Sequence, residues 1–587
     1  MSKKYFTFYY ISLLLFAVVY WLITLTPINL HDKRAFIEFI ILLALIILPI
    51  AVYKLVAKDR QPKNFFDSLG LLRKASVRSF RNFGKRTGGL GLLWIPVLLI
   101  FVYGLLRLGS LEIFRSKQYA NLLQVEPGDF SGNIAEIDFT EIPTVDRDTA
   151  QRLGSKKMGE IADLVSQFEV DPDYTQINFQ GRPVRVTPLR YGDVIKWFNN
   201  RSEGLPRIIR VDMIDSAVTL QSLASGMKYS HAEPLFRNIN RHLRLCYPFD
   251  ILDEPVMEID ESGTPYWVTP VISPRAGWFG GRDVKAVILC NALTGETTKY
   301  DVGSIPTWVD RVYPADMVLR QINYYGQYQD GFFNAYIGQK GVLQATALYN
   351  YLAIDDDVYL YTGITSVSTE DNSNLGFVLV NLRTKETKYY AVASADESSA
   401  MRSAEGAVQE KGYQATIPIL LNISGRPTYC MALKDQASLV KMYALVDAQS
   451  YQTTGVGASI KEAMRNYEIS QNSRLRNEPD TTDKAGHEKS LTGKVKAVQS
   501  VTIEGNSYYY FMLDMGQQAG NKSPADRYFE KQVFSAPINL SSKLPFLKVG
   551  DRVTVDFYSP VAEDKLTEED LKQTSQRAID VNSLDLD

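Results

Sequence analysis

Hydrophobic positions fall into two regimes along this chain. Three uninterrupted apolar runs, residues 5–25, 35–57 and 89–108, crowd into the first fifth. Beyond residue 109, apolar and polar residues alternate in short stretches, separated by segments of helical spacing. Each early run reaches the about 20 residues needed to cross a bilayer as a helix. A helix satisfies its own backbone in hydrocarbon, so the runs predict three membrane spans. Tyr5, Tyr9, Tyr10, Tyr20 and Trp21 lie near the ends of the first, as an interfacial aromatic belt would. Pro49 and Pro96 fall inside the second and third, where a kink is expected and tolerated. Lys3 and Lys4 resemble the start of a signal peptide. The run is longer than a signal core, lacks a small-x-small cleavage site and is followed at once by another span, so it reads as retained.

Charge sets the expected orientation. Residues 54–86 carry ten Lys and Arg against Asp59 and Asp67. Basic loops stay on the cytoplasmic side, so the N-terminus is predicted cytoplasmic and residues 110–587 extracytoplasmic. The overall charge of −2 hides +11 on residues 1–109 and −13 on residues 110–587. Within the basic loop, Phe65, Phe66, Leu69, Leu72, Val77, Phe80 and Phe83 recur at roughly helical spacing, predicting an amphipathic helix on anionic headgroups. Glu38 and Arg107 lie near run ends and can snorkel to an interface, so no transport path is predicted.

The remainder reads as membrane-anchored α+β. Residues 110–123 look helical and continue the third span. Paired strand patterns then recur: 263–273 with 285–302 across a loop at 274–284, 356–366 with 375–392, 425–435 with 439–456, and a fainter pair at 181–190 and 206–221. The stretches NALTGETTKY, NLRTKETKYY and VDAQSYQTTG align, and each pair alternates as half-buried antiparallel strands do. Helical segments at 146–168, 231–248, 314–328, 395–412 and 459–470 separate them, and 142–150 is similar to 305–315. An acid- and alanine-bearing helix (Asp396, Glu397, Ala400, Ala404) precedes a Gly-x-Pro-x-Tyr start (Gly425, Pro427, Tyr429) and a strand ending in Val446-Asp447. This arrangement resembles PepSY modules, found on the outer face of bacterial membrane proteins. The resemblance implies small α+β interaction or inhibitory modules rather than enzymes. Long inserts, above all 303–350, depart from it and leave the module count open.

The predicted organisation is a three-helix anchor (1–109), a first outer module (110–228), a second with an insert (229–350), third and fourth hairpins with a helix (351–470), a polar linker (471–488) and a C-terminal small β-barrel with a polar tail (489–587). In the last part, Gly493-Lys494-Val495, an aromatic second strand turned at Gly505-Asn506, and Val549-Gly550-Asp551 before a late strand resemble an OB-like barrel. Such barrels bind oligonucleotides or oligosaccharides, or serve as docking modules. Tyr508 and Tyr510 share one strand face, where core aromatics and a stacking platform are the two readings. The acidic outer region argues against nucleic acid.

Little catalytic chemistry is visible. His31, His231, His242 and His487 are scattered, and no zinc spacing or Gly-x-Ser-x-Gly elbow occurs. Cys246, Cys290 and Cys430 read as small apolar residues. The glycines of 276–283 read as a turn, and residues 84–87 lack a phosphate loop's upstream glycine. Asp355-Asp356-Asp357 is the strongest local acid cluster and reads as a solvated hairpin start, with calcium binding left open. No catalytic, cofactor-binding or metal residue is assigned, and no cofactor is expected. The expectation is a non-enzymatic bacterial cell-envelope protein that binds or scaffolds a protein or envelope polymer. The alternative is an envelope enzyme or membrane-protease regulator with a site assembled from distant residues. Gly89, Gly91 and Gly104 with the two prolines also suggest oligomerisation or assembly with another membrane protein.

Overall fold

The computed structural model describes residues 3–58, 89–134, 142–367, 373–477, 487–503, 506–516, 528–541, 543–559 and 579–586. Most of the basic loop, with its expected amphipathic helix, lies outside them. Contacts divide the chain into two compact units, Met1–Arg476 and Asn477–Asp587.

Three helices near the N-terminus are long and apolar enough to cross a membrane: α1 (Lys3–Thr24), α2 (Lys33–Lys58) and α3 (Trp94–Leu108). A 3-10 turn, Gly89–Leu93, leads into α3. Pro96 is the third residue of α3, in the first turn, where its missing N–H costs no helical bond and no kink is required. Pro49 lies inside α2, which continues past it. The expected continuation of α3 does not occur: the chain breaks at Gly109 and Leu111 before α4 (Glu112–Ala120).

Four five-stranded, mainly antiparallel sheets follow in Met1–Arg476, beside a two-stranded one of Ser373–Asn374 and Ser394–Ala395. The first holds Phe168–Val170, Thr175–Phe179, Arg182–Tyr191, Leu205–Asp212 and Val218–Met227. The second holds Ile251–Leu252, Val256–Ile259, Pro265–Ala276, Gly280–Asn291 and Thr297–Asp301. The third holds Leu343–Ile354, Asp357–Ser366, Gly376–Asn381 and Thr387–Tyr390, with Glu126–Pro127 added in parallel at one edge. The fourth holds Gln414–Ala415, Ile419–Ile423, Arg426–Lys434, Val440–Asp447 and Thr454–Gly457. Two segments thus pair outside the modules expected of them. Glu126–Pro127 and Leu343–Ile354 both join the third sheet. The expected loop at 274–284 is mostly strand, and only a short tip at 277–279 separates Pro265–Ala276 from Gly280–Asn291.

One device closes a strand in each of the four five-stranded sheets. The side chains of Asp212, Asn291, Asn381 and Asp447 each accept the backbone N–H groups two and three residues on, at 2.8–3.2 Å. Short Asx side chains favour such turns. The next carbonyl, of Met213, Ala292, Leu382 or Ala448, accepts N–H groups from the segment that leads into a helix. Neighbouring sheets share apolar cores. Val186 and Ile209 pack with Trp267 and Ile288, Val268 and Val287 with Leu360 and Val380, and Tyr361 and Phe377 with Leu421 and Leu445.

The helix Ile460–Asn477 overruns the expected linker start. The helix is anchored by buried Ala463 and Tyr467, and Gln471 donates to the Tyr467 hydroxyl. In Asn477–Asp587, His487–Ile503, Asn506–Asp514, Phe534–Pro537, Ile579–Leu586 and Arg552–Ser559 pair in that order, and Arg552–Ser559 pairs back onto His487–Ile503. Phe511, Phe529, Phe534 and Phe557 fill the core. The expected polar tail instead ends in a strand whose Val581 and Leu584 join that core.

Candidate functional site

A hollow of about 710 Å3 lies between α1 and α2. Leu13, Phe16 and Ala17 of α1 face Phe39, Leu42 and Leu45 of α2 across it, so its walls are apolar. Its size is that of a small-molecule pocket or a lipid chain. One end is polar: Glu38 Oε1 accepts from the Tyr20 hydroxyl (3.0 Å), the Thr26 hydroxyl (3.1 Å) and Arg34 Nε (2.8 Å). At the other end, the Tyr9 and Tyr10 hydroxyls donate to the carbonyls of Leu45 (2.9 Å) and Ile46 (3.0 Å) of α2. Two polar clamps therefore hold α1 to α2. None of the apolar window of α1 is buried.

The Glu38 end also carries the α+β part. The 277–279 tip inserts Phe279 between α2 and α3, where it meets Phe36 at 5.8 Å and Tyr103 at 5.3 Å between ring centroids. Trp278 stacks on His31 and donates its indole N–H to the Leu30 carbonyl at 2.9 Å. Ser110 Oγ accepts the N–H groups of Trp278 and Phe279 at 3.0 and 3.1 Å and donates to the Leu106 carbonyl at 2.7 Å. Gly277 is required here: its φ is +68°, and an added Cβ would meet Gly109 and Ser110. On the neighbouring helix Ile239–Cys246, Arg244 donates to the carbonyls of Leu25 (2.8 Å) and Asp250 (2.6 Å). Ser110→Ala strands the buried Phe279 N–H and the part-buried Trp278 N–H and is expected to destabilise the full chain by about 2 kcal/mol. An unchanged unfolding midpoint in detergent would contradict this account of the junction.

A second polar cluster lies where the first three sheets meet. Glu258 on Val256–Ile259 is fully buried. Its carboxylate accepts the backbone N–H groups of Asp310 and Arg311, each at 2.9 Å. Asp310, also buried, accepts the Asn178 N–H at 2.6 Å, and Asn178 donates its amide to the Asp355 carbonyl at 3.0 Å. Burial pushes the Glu258 carboxyl up to about 7. Burial and the neighbouring Glu258 charge push Asp310 well above the usual carboxylate range. Asp310 Oδ1 and Asn178 Oδ1 have no hydrogen-bond partner. These acids converge, but both are sealed from solvent, and Glu258 is held in backbone bonds. They tie strand ends together rather than face a substrate.

The other sequence candidates occupy structural places. Asp355 sits at φ +54° in the turn of the Leu343–Ile354/Asp357–Ser366 hairpin. Asp357 pairs with Arg383 at 2.6 Å and accepts from Asn381. No group of three His, Cys, Asp or Glu side chains converges to hold a metal among the described residues. Cys290 and Cys430 are buried as expected, whereas Cys246 is exposed. His231 lies edge-on to Trp267, and His242 lies 2.8 Å from the Gly295 carbonyl. In Asn506–Asp514, Phe511 is buried and Tyr509 packs against the core, while Tyr508 and Tyr510 are half-buried.

No family model matches the chain, and no curated protein matches it. Among solved structures, two variants of a Synechocystis apocarotenoid oxygenase align at 11% and 12% identity, each with a TM-score of 0.15. The alignments cover 49% and 50% of this chain, and the chain spans about 60% of the length of each oxygenase. A likeness this slight bears on neither fold nor function.

Proposed function

We propose that this is a non-enzymatic, multi-pass cell-envelope protein with a cytoplasmic N-terminus, whose residues 110–587 lie outside and bind or scaffold a protein or envelope polymer. The observation that carries the reading is the contrast between its two candidate sites. The large hollow is apolar, whereas the converging acids, Glu258 and Asp310, are sealed. PepSY-like modules and an OB-like barrel are part of this reading. The Asx turn common to four sheets and the cyclic strand pairing of the last unit support them. The test is crosslinking on intact cells, followed by mass spectrometry of what is attached to the α+β region. Recovery of one defined protein or glycan is expected. Turnover of an envelope polymer by the purified full chain would overturn the non-enzymatic reading.

The hollow between α1 and α2 favours a second role, assembly with another membrane protein through the spans. A membrane partner copurifying in fixed stoichiometry is its expected sign, and a monodisperse monomer would argue against it.

A further inference from the structure

Two segments, one bonded to the span ends and the other joined to it, differ in character from the rest of the acidic α+β region. They are residues 194–201 and 235–249. Val194, Ile195, Phe198, Leu235, Phe236 and Phe249 are each more than half exposed. The same segments contain Lys196, Arg201, Arg237 and Arg241, with Arg244 buried beneath them, and no Asp or Glu between the flanking Asp193 and Asp250, although residues 110–587 carry a net charge of −13. Glu233, close by in sequence, is buried and accepts from Tyr191 and Trp197.

Hydrogen bonds place this patch at the ends of the spans. Arg241 Nε donates to the Leu22 carbonyl at 3.4 Å, and Arg244 Nε to the Leu25 carbonyl at 2.8 Å, at the end of α1. Ile28 N–H donates to the Pro248 carbonyl at 2.7 Å, and the Asn29 amide to the Phe249 carbonyl at 2.9 Å, in the turn before α2. Arg241 also donates to the Leu235 carbonyl at 2.5 Å, and Arg237 joins the two segments through the Arg201 carbonyl at 2.6 Å. Exposed aromatic and aliphatic side chains among guanidinium groups, level with helix ends, match an anionic headgroup layer.

We propose that residues 194–201 and 235–249 form an interfacial skirt that inserts into the leaflet at the Thr24/Lys33/Leu108 end of the spans. The occupant of this surface is anionic phospholipid. The skirt holds the α+β part against the bilayer in addition to the helices. The proposal rests on the reading that α1 to α3 cross the membrane.

The test uses the full chain with Cys246→Ser, reconstituted in vesicles of phosphatidylcholine with and without phosphatidylglycerol. Spin labels are placed through Ile195→Cys, Phe236→Cys, Leu15→Cys and Leu439→Cys, one at a time. Collision with oxygen, which partitions into lipid, is compared with collision with a water-soluble nickel chelate. Position 15 on α1 reports the spans, and position 439 reports the exposed turn before the fourth sheet's Val440–Asp447 strand. The expected result is an oxygen-to-nickel ratio at 195 and 236 several-fold above that at 439, rising further with the anionic lipid. Values at 195 and 236 equal to that at 439, with position 15 still in lipid, would overturn the skirt and leave the spanning reading intact. Water at position 15 as well would overturn both. Shielding of 195 and 236 only in intact cells, and not in vesicles, would overturn the lipid proposal in favour of a protein partner.

Discussion

Replacing Asp310 by asparagine is expected to raise the melting temperature at pH 8 and to flatten its dependence on pH. The cause is the proximity of two buried acids, each of which costs free energy when charged. Glu258 has a folded-state value of about 7 against an ordinary 4.5. Its pKa is raised, so the folded chain holds more protons than the unfolded chain between those values. Stability is therefore greatest below about 4.5 with respect to this group and falls as pH rises through 7. Asp310, raised by its own burial and by the Glu258 charge, acts in the same direction, so the pair loses stability together as pH rises. Other acids oppose this at low pH. Lys299 and Lys285 hold Asp250 below its ordinary value despite burial, and Arg182 and two backbone N–H groups do the same for Asp212, so their stabilisation is lost on acidification. The full chain should melt highest near pH 5 and several degrees lower at pH 8. Asp310→Asn keeps an oxygen for the Asn178 N–H and removes the like charge, which lets Glu258 ionise at lower pH. Thermal unfolding in detergent across pH 5 to 8 checks both statements. A flat profile for the unaltered chain would contradict this account of the acid pair.

Gly455→Ala is expected to be the more damaging of two glycine replacements in the fourth sheet. The helix Ile460–Asn477 lies so close to Thr454–Gly457 that a Cβ at 455 would run into the backbone of Tyr467 and Ala463. Backbone cannot rotate aside as a side chain can, so the helix must move off Tyr467 and Ala463, both fully buried. A loss of about 3 kcal/mol follows, at the upper end of overpacking costs. Gly425 provides the contrast. Its φ is +75° and nothing lies near its missing Cβ. Gly425→Ala pays only for the left-handed backbone, about 1 kcal/mol. Urea unfolding of both variants should give that order, and equal midpoints would show that the helix is not seated as described.

Which parts were legible in the sequence follows from how local their causes are. The spans were readable because twenty consecutive apolar residues have few other uses. The likeness of the strand ends at Asn291, Asn381 and Asp447 was readable because the turn that closes each is built within three residues. Strand partnership was less so. Leu343–Ile354 alternates like any strand, and nothing local says that it joins the third sheet rather than the second. The 274–284 stretch looked like loop because of Pro274, Gly277, Gly280 and Gly281. The strands run through it, and a bulge between Val284 and Ala286 absorbs the irregularity. The Glu258–Asp310 pair spans 52 residues, and no spacing rule joins them. The likeness of 142–150 to 305–315 was the one available hint, since it aligns Asp310 with Asp146. Asp146 caps the helix Arg147–Gly159 and pairs with Lys434. The interfacial skirt was hidden because its apolar residues are few and come from two segments that only the fold brings together.

The clamps at either end of the α1/α2 hollow have a further consequence. They close its ends with hydrogen bonds and leave its long side unsealed. Read as membrane spans, these helices open the hollow sideways into hydrocarbon. Whatever occupies it arrives by diffusion in the plane of the bilayer. Its occupancy is then governed by mole fraction among the lipids, and an agent dissolved in water competes for it only after partitioning into the membrane.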